Sequence, residues 1–523
     1  MKKILNLILA IGWLSSYAQI SSIAVDWGPV YKAKDLDFQK IIGTHGDHFY
    51  TYGNDNASSS SLFSLFNSND IKVGYFSHKD FKMKFMKEIE GFEYHDKDSK
   101  YHSSYVKANG DAVLYFTVYQ NKEDKKYLLR RTVSPKGRVG KYEVIASTPA
   151  IKKGESNFNI RRSKDKASLL IFANTPYQKR DKENFLVKVF DRDHNLKWEK
   201  EITLPYTDKY FSVLNSTITN DGKVFVLGFA EPDRYKGESK ERRASNEDYK
   251  LFLITEKSNQ ITEFDLPMDD KFIDGTILAP DFIGDKLVVS GFYTKEYGSR
   301  SGIEGSFFIA INQSSLEEES VSFQEFSTDF LKNFMSDRRA EKGRDLQEFK
   351  PQRLYRREDG GAVLIAEQRY LVTTTYTTAN GATSTSYTYY RNDIIAVSIN
   401  PEGKIIWQAH VPKNQTASPG AEPYTSYISF IKEDKIHFIF NDDRKNPKRL
   451  AAGKKRRTMN NPKKSLVVMS TVDGNGRVFY EPLFSNKDYG AILVPRRCYQ
   501  IEEGNLILFG QRKKKCRFGT ISL

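Results

Sequence analysis

The sequence predicts an all-β chain organised as a β-propeller of about eight four-stranded blades, with the N-terminal strand completing the last blade. Three observations predict it. The 523 residues hold 30 Tyr and 35 Phe, with many Ile and Val, and show almost no long helical periodicity. Strongly apolar segments recur every 55–75 residues or so, each introduced by a tight polar turn. The final unit is one strand short, while a strand-like segment without a partner of its own stands near the start.

The apolar segments read as the second strand of each unit. They are His48–Gly53, Ala112–Val118, Ser168–Ala173, Lys223–Ala230, Lys286–Tyr293, Ala362–Glu367, Lys435–Phe440 and Asn505–Gly510. Turns such as Asn109-Gly110-Asp111, Asn220-Asp221-Gly222, Asp359-Gly360-Gly361 and Glu503-Gly504 introduce them. Asn, Asp and Gly suit those turns because a tight hairpin needs positive φ at low steric cost. A continuous apolar run suits a strand packed on both faces. A variable connection follows, then a third strand such as Phe307–Ile311 or Ile394–Ile399. A second tight turn comes next: Ser134-Pro135-Lys136-Gly137, Asn400-Pro401-Glu402-Gly403 or Asp473-Gly474-Asn475-Gly476. A fourth strand such as Lys404–Val411 closes the unit.

Seven units are complete in this reading. The eighth, Tyr489–Leu523, lacks a fourth strand, and Ile20–Tyr31 is available to supply it. Trp27 supports the match, since Trp198 and Trp407 also stand in fourth strands. Such an exchange leaves no open sheet edge. The competing readings are two separate β domains, or seven blades. Between blades five and six, Asp329–Lys342 groups Phe330, Leu331, Phe334 and Met335 on one face after Ser327 and Thr328, which predicts a short amphipathic helix over 329–342 that covers a core edge or meets a partner.

The N-terminus predicts export. Lys2 and Lys3 precede the apolar stretch Ile4–Leu14, and Ser16-Tyr17-Ala18 sets small residues at the positions a signal peptidase reads. Residues 1–18 are therefore expected to be a signal peptide and 19–523 a single propeller domain. The stretch is too short to span a bilayer core of roughly 30 Å. No transmembrane segment is expected elsewhere.

Charge is local. The formal net charge is +15. Asn441–Lys464 carries ten basic residues (Arg444, Lys445, Lys448, Arg449, Lys454, Lys455, Arg456, Arg457, Lys463 and Lys464) against two Asp. Arg512, Lys513, Lys514, Lys515 and Arg517 follow in blade eight. Both runs fall between second and third strands, as do Asn54–Asp70, Glu231–Tyr249 and Leu371–Asn392, so one rim is expected to carry the long loops. A rigid scaffold commonly presents binding residues on such loops. Adjacent basic clusters would attract an acidic partner: an envelope protein, an acidic glycan or lipopolysaccharide. The bland reading is a solvated basic loop. Nucleic acid is not expected, because the run lacks the interleaved aromatics of a stacking platform. Leu371–Asn392 alternates Thr with Tyr376, Tyr387, Tyr389 and Tyr390 around Asn380-Gly381. It reads as a projecting hairpin, with Tyr387 and Tyr389 as candidate contacts to protein or sugar.

No catalytic or cofactor motif is legible. His45-Gly46-Asp47-His48 is ligand-like but occupies a predicted hairpin turn. His95, Asp96, Asp98 and His102 form a second polar cluster. Asp473-Gly474-Asn475-Gly476 is similar to a calcium loop but lacks its terminal Glu. No metal, cofactor or catalytic residue is therefore assigned, although carboxylates converging in a central channel would escape a linear reading. Cys498 and Cys516 are a candidate disulfide. An oxidising compartment favours the bond, while their placement on first and third strands opposes it. Nothing in the sequence bears on oligomeric state.

Asp191-Arg192-Asp193-His194-Asn195-Leu196-Lys197-Trp198 and Asn400-Pro401-Glu402-Gly403-Lys404-Ile405-Ile406-Trp407 set a turn before a fourth-strand Trp. This resembles the docking motif of quinoprotein-like propellers. Members of that family that bind pyrroloquinoline quinone use adjacent cysteines, which this chain lacks. The resemblance is nearer in function to non-enzymatic eight-bladed propellers that scaffold outer-membrane assembly. The Ala18-Gln19 junction and the composition look like a Bacteroidota envelope protein. These resemblances imply a non-enzymatic periplasmic or outer-membrane-associated scaffold, an accessory subunit of an export or assembly machine. The alternative is a carbohydrate-binding protein or enzyme that uses the central channel.

Overall fold

The computed structural model describes residues 25–54, 70–89, 93–151, 157–231, 248–295, 302–377, 380–502 and 505–522. The signal-peptide reading of 1–18, all of 20–24, the interiors of the loops after blades one and four's second strands, and the turn at 503–504 lie outside them. Among the described residues the strands form eight antiparallel sheets, seven of them built on a meander of four consecutive strands and the eighth completed by an N-terminal strand, and the fold class is the all-β propeller with four-stranded blades. The chain divides into two compact units, Gly28–Lys413 and Met1–Trp27 with Asn414–Leu523.

The first unit holds blades one to six. Their second strands run His48–Asn54, Ala112–Gln120, Ser168–Asn174, Val224–Ala230, Lys286–Thr294 and Ala362–Thr377. The first five are buried almost throughout and the sixth over Ala362–Glu367, and the reason is visible along one strand. Val288 packs in the core shared with blade six, whereas its neighbour Val289 packs in the core shared with blade four. Period-two alternation thus sends successive side chains to two different neighbours, so both faces must be apolar. Each fully buried Val, Leu, Ile or Phe contributes about 1.5–3 kcal/mol relative to exposure.

The turns between third and fourth strands repeat one chemistry. The side chains of Ser134, Asp191, Asn400 and Asp473 accept from the backbone N–H of Arg138, Asn195, Lys404 and Arg477, four residues on in each case. Side-chain oxygens at that position satisfy a turn amide that the sheet leaves open. This local bond is why the turn signal survives in sequences that otherwise diverge between blades.

The helical segment between blades five and six differs from the expected single helix. Two one-turn helices form, Thr328–Leu331 and Asp337–Ala340. Ser327 caps the first by accepting from the Phe330 N–H, and Asn333 donates its side-chain amide to the Phe330 carbonyl, which ends the turn. Phe330, Leu331 and Ala340 are buried in the core of blades five and six, with Phe334 and Met335 packed against it. Core packing consumes the apolar face.

The second unit holds blades seven and eight. Blade seven runs Ile428–Lys432, Lys435–Asp443, Ser465–Val472 and Val478–Ser485. In blade eight, Ile492–Leu493 and Tyr499–Glu502 both pair with Asn505–Arg512, which pairs in turn with Lys515–Ser522. Val25–Trp27 supplies the fourth strand as expected, with Val25 opposite Ile521 and Trp27 opposite Gly519. A Cβ at Gly519 would meet the Trp27 ring at 2.7 Å, so only glycine admits this pairing.

Candidate basic platform of blades seven and eight

The second strand of blade seven ends in Asn441-Asp442-Asp443, and the first two are completely buried. Asn441 is a junction. Its side-chain amide donates to the Tyr424 and Leu493 carbonyls at 2.8 and 2.9 Å, and its carbonyl oxygen accepts from Asn486 at 2.7 Å. Leu493 opens blade eight and pairs with Gly510, near the end of that blade's second strand. The two basic segments, which begin within three residues of Asn441 and Gly510, therefore leave their sheets at the same end.

Asp442 holds the first segment down. Its carboxylate accepts from the Arg456 guanidinium, from the Tyr480 hydroxyl at 2.8 Å and from the Asn446 amide at 2.8 Å. The Arg456 guanidinium also lies over the Tyr480 ring, 4.8 Å from its centroid. Burial pushes the Asp442 carboxyl above its ordinary range, against the pull of Arg456, Tyr480 and Asn446. Burial, with the Asp442 carboxylate beside it, also drives the Tyr480 hydroxyl upward.

Around this pair the segment folds into a compact cap. Asn446–Ala451 is a short helix with Pro447 in its first turn. Asn446 exchanges two hydrogen bonds with the backbone of Arg457, at 2.8 and 2.9 Å. Arg449 donates to the Lys455 carbonyl at 2.8 Å. Buried Met459 fastens the returning chain through backbone bonds to Asn414 and Thr416. The cap is built, not a solvated loop.

This geometry sorts the predicted cations. Arg444, Lys445, Lys448, Lys454, Lys455, Arg457, Lys463 and Lys464 are exposed and Arg449 is half-buried. Arg456 is the exception: its side chain is 9% exposed and its charge is answered inside the fold. Its assignment as a docking residue is corrected accordingly. A cleft of about 250 Å³ opens between Asp443, Arg444, Lys445, Asn460, Asn461 and Lys464.

Blade eight also departs from expectation. Arg512–Lys515 is a tight two-residue hairpin turn, with Lys513 at φ 54°, not a long loop. The strand ladder continues to the Arg512–Lys515 pair, so only Lys513 and Lys514 remain for the turn. Lys513, Lys514 and Lys515 are exposed. Arg517 is turned onto the sheet, its guanidinium 4.8 Å from the Trp27 ring centre and donating to the Tyr489 carbonyl. Exposed cations each contribute little to stability, typically 0–1 kcal/mol even when paired. Their use is in the field they project.

The remaining candidates are placed elsewhere or do not converge. Tyr387 and Tyr389 lie on the blade six hairpin, in the other unit, opposite Thr373 and Leu371 on one face; Tyr376 and Tyr390 fall on the opposite face. His45 and His48 pair across the first hairpin turn, where Gly46 takes φ 53°. His95 sits 3.2 Å from Glu123, whereas His102 bonds the Phe158 carbonyl at 2.9 Å. Asp473 accepts from the backbone of Asn475 and Arg477 and so serves its own turn.

Cys498 and Cys516 are free, so the candidate disulfide is corrected. Asn505–Arg512 runs between the strand that follows Cys498 and the strand that carries Cys516. The Cys498 thiol instead accepts from the Phe509 N–H and donates to the Val494 carbonyl. Burial pushes it up to about 12.

One group escaped the sequence reading altogether. Glu183, 7% exposed, is pushed up to about 8 by burial and by the neighbouring Asp208 carboxylate. Asp208 accepts from the Gln178 N–H at 2.5 Å and lines a cleft of about 290 Å³ with Thr148, Asp181 and Thr203. No spacing motif links residues 25 positions apart on a strand and a turn.

No protein-family model and no curated protein matches the chain. Solved structures do. The chain is similar to the WD40 domain of SCAP from fission yeast at 8% identity, covering 94% of this chain and 98% of that one, with a TM-score of 0.39. It is similar to Sqt1 from Chaetomium thermophilum at 9% identity, covering 95% and 99%, also at 0.39. The β-propeller domain of the Trilobed protease from Pyrococcus furiosus aligns at 11% identity over 86% and 97%, at 0.36. No function is carried over from them.

Proposed function

We propose that this chain is a non-enzymatic interaction scaffold of the cell envelope, exported to the periplasm or the outer-membrane periphery. Its basic platform docks an acidic partner, foremost the acidic surface of another envelope protein of an export or assembly machine. The Bacteroidota-type junction at Ala18-Gln19 and the resemblance to assembly propellers support the setting. One observation carries the docking role. The cap is held by the bonds among Asp442, Asn446, Arg456 and the Arg457 backbone, and the side chains of Lys454 and Lys455 take no part in them. A rigid array of unspent positive charge raises encounter rates with an acidic surface and loses strength as salt rises.

The test is crosslinking in the native envelope followed by mass spectrometry, comparing the wild type with Lys454→Glu/Lys455→Glu/Arg457→Glu. A specific protein partner should be recovered with the wild type. The triple variant should recover it at least tenfold less well, with a shallower salt dependence. Unchanged recovery and salt response would reject the platform. Tight binding of an oligosaccharide with no protein partner would favour the carbohydrate-binding or enzymatic alternative, while salt-sensitive binding of lipopolysaccharide would keep the platform and change its ligand.

A further inference from the structure

The hairpin of blade six offers a second, chemically different surface. Its strands, Ala362–Thr377 and Thr383–Ile399, remain paired from Ala362–Ile399 out to Thr377–Thr383. The neighbouring strands stop far short. Phe349–Arg356 reaches only Gln368, and Ile405–Val411 reaches only Ile394. Beyond Gln368 no described strand covers the outer side of Ala362–Thr377, and Leu371–Thr377 is exposed along its whole length. Among the described residues no strand pairs with the outer edge of residues 370–377, which at 3.4 Å per residue is about 25 Å long.

Natural sheets protect such edges with lysine, proline, a bulge or a covering loop. This one has none of the first three. Leu371 to Tyr390 contains no charged residue and no proline, in a chain that is 28% charged. The register is unbroken from Arg369 to Thr377. The edge is rich in β-branched residues, which favour strand addition.

We propose that this edge pairs antiparallel with the same edge of a second copy, about a two-fold axis at Thr374, forming a four-stranded ribbon. The sequence is symmetric in the required way. With Thr374 opposite its own counterpart, Val372 meets the partner's Tyr376 and Thr373 meets the partner's Thr375. Aromatic–β-branched and Thr–Thr pairs are among the favourable cross-strand combinations. Charge points the same way. A neutral ribbon gives an acidic or basic partner nothing to recognise, and it imposes no like-charge cost on itself. The rest of the +15 chain repels its copy, but a ribbon longer than the ~8 Å Debye length at physiological salt lets the tips pair while the charged bodies stay screened. An isolated two-stranded ribbon is at best marginally stable in water, and doubling it removes that deficit.

The experiment is sedimentation velocity on the full chain from 5 to 100 µM, roughly the range over which a micromolar dimer dissociates. The wild type should sediment as a concentration-dependent dimer. Thr374→Lys, which sets two lysines face to face on the axis, should raise the dimer Kd at least tenfold without moving the melting temperature. Thr388→Lys, on the other strand of the same ribbon, should leave it within about twofold. Thr374→Cys should give a covalent dimer on mild oxidation, and the wild type should not. A monomeric wild type throughout that range overturns the proposal. So does a dimer indifferent to Thr374→Lys, one broken by Thr388→Lys instead, or a Thr374→Cys chain that stays monomeric when oxidised.

Discussion

Blades six and seven extend the same connection, between second and third strands, and do so in opposite ways. In blade six the extension prolongs the ladder into a bare ribbon. In blade seven it leaves the sheet at Asp443 and collapses into a cap around one buried carboxylate. Composition explains the divergence. Alternating Thr and Tyr can go on making cross-strand pairs at every step, so nothing stops the hairpin before Asn380-Gly381. The blade seven segment contains Pro447, Pro462 and several Asn, which terminate strands, and ten cations that cannot be stacked opposite one another. It folds only because Asp442 takes one of those cations inward. The ribbon is held by many equal, weak pairs, the cap by one buried ion pair backed by the Asn446 and Met459 bonds.

The comparison breaks most readily at Asp442. Removing that carboxylate strands the Arg456 guanidinium in a buried site, and Asp442→Ala should cost about 3–5 kcal/mol in denaturant unfolding. Arg456→Glu should be comparably damaging. Lys454→Glu/Lys455→Glu, one and two positions before Arg456 on the exposed surface, should change stability by no more than about 0.5 kcal/mol. Equal effects would mean that the cap has no keystone.

A buried carboxyl without a cation sharpens what Arg456 supplies. Glu183 has only Asp208 beside it, and its folded pKa of about 8 lies above its ordinary value. The native state therefore holds a proton that the unfolded chain releases. This contribution is fully present below about pH 4.5, declines as pH rises towards 8, and is flat beyond. Glu183→Gln should remove that slope and stabilise the protein at pH 8 by about 4 kcal/mol relative to its effect at pH 4.5. A wild-type stability curve already flat between those values would show that the pair is not buried together.

The smallest effect belongs to the ribbon. Tyr387→Ser removes one exposed cross-strand pair with Thr373 and should cost no more than about 0.2–1 kcal/mol, read as a small shift in melting temperature. A larger loss would mean that the ribbon is supported by more than its own pairs.

How much was legible follows from the range of the interaction that carries each signal. Seven of the eight second strands were found within a few residues, because each is a continuous apolar run introduced by a turn; the sixth runs ten residues past Glu367, to Thr377, into the hairpin. Asp473 and Asn400 announce their hairpins through contacts four residues away. The single helix expected over 329–342 was not found. Its apolar positions fit one helical face, but Ser327, Asn333 and core packing settle the chain into two separate turns. Arg456 was misread for the same reason at longer range. Nothing in a run of ten bases marks the one that turns inward, although an Asn-Asp-Asp at the end of an apolar strand was a usable hint that a buried acid would need a cation. Glu183 had no hint at all.

The sequence alone determined the repeat, the place of the turns, the need for a strand from Ile20–Tyr31 at the end of blade eight and the confinement of positive charge to two segments. All of these rest on local periodicity or on simple composition. Tertiary structure alone decided which cation is spent inside and which carboxyl is buried beside another. It also decided that Cys498 and Cys516 stay apart and that the blade six ribbon has an unpaired edge. Those outcomes depend on which desolvated groups meet across the fold, and desolvation is a property of a place in space before it is a property of a residue.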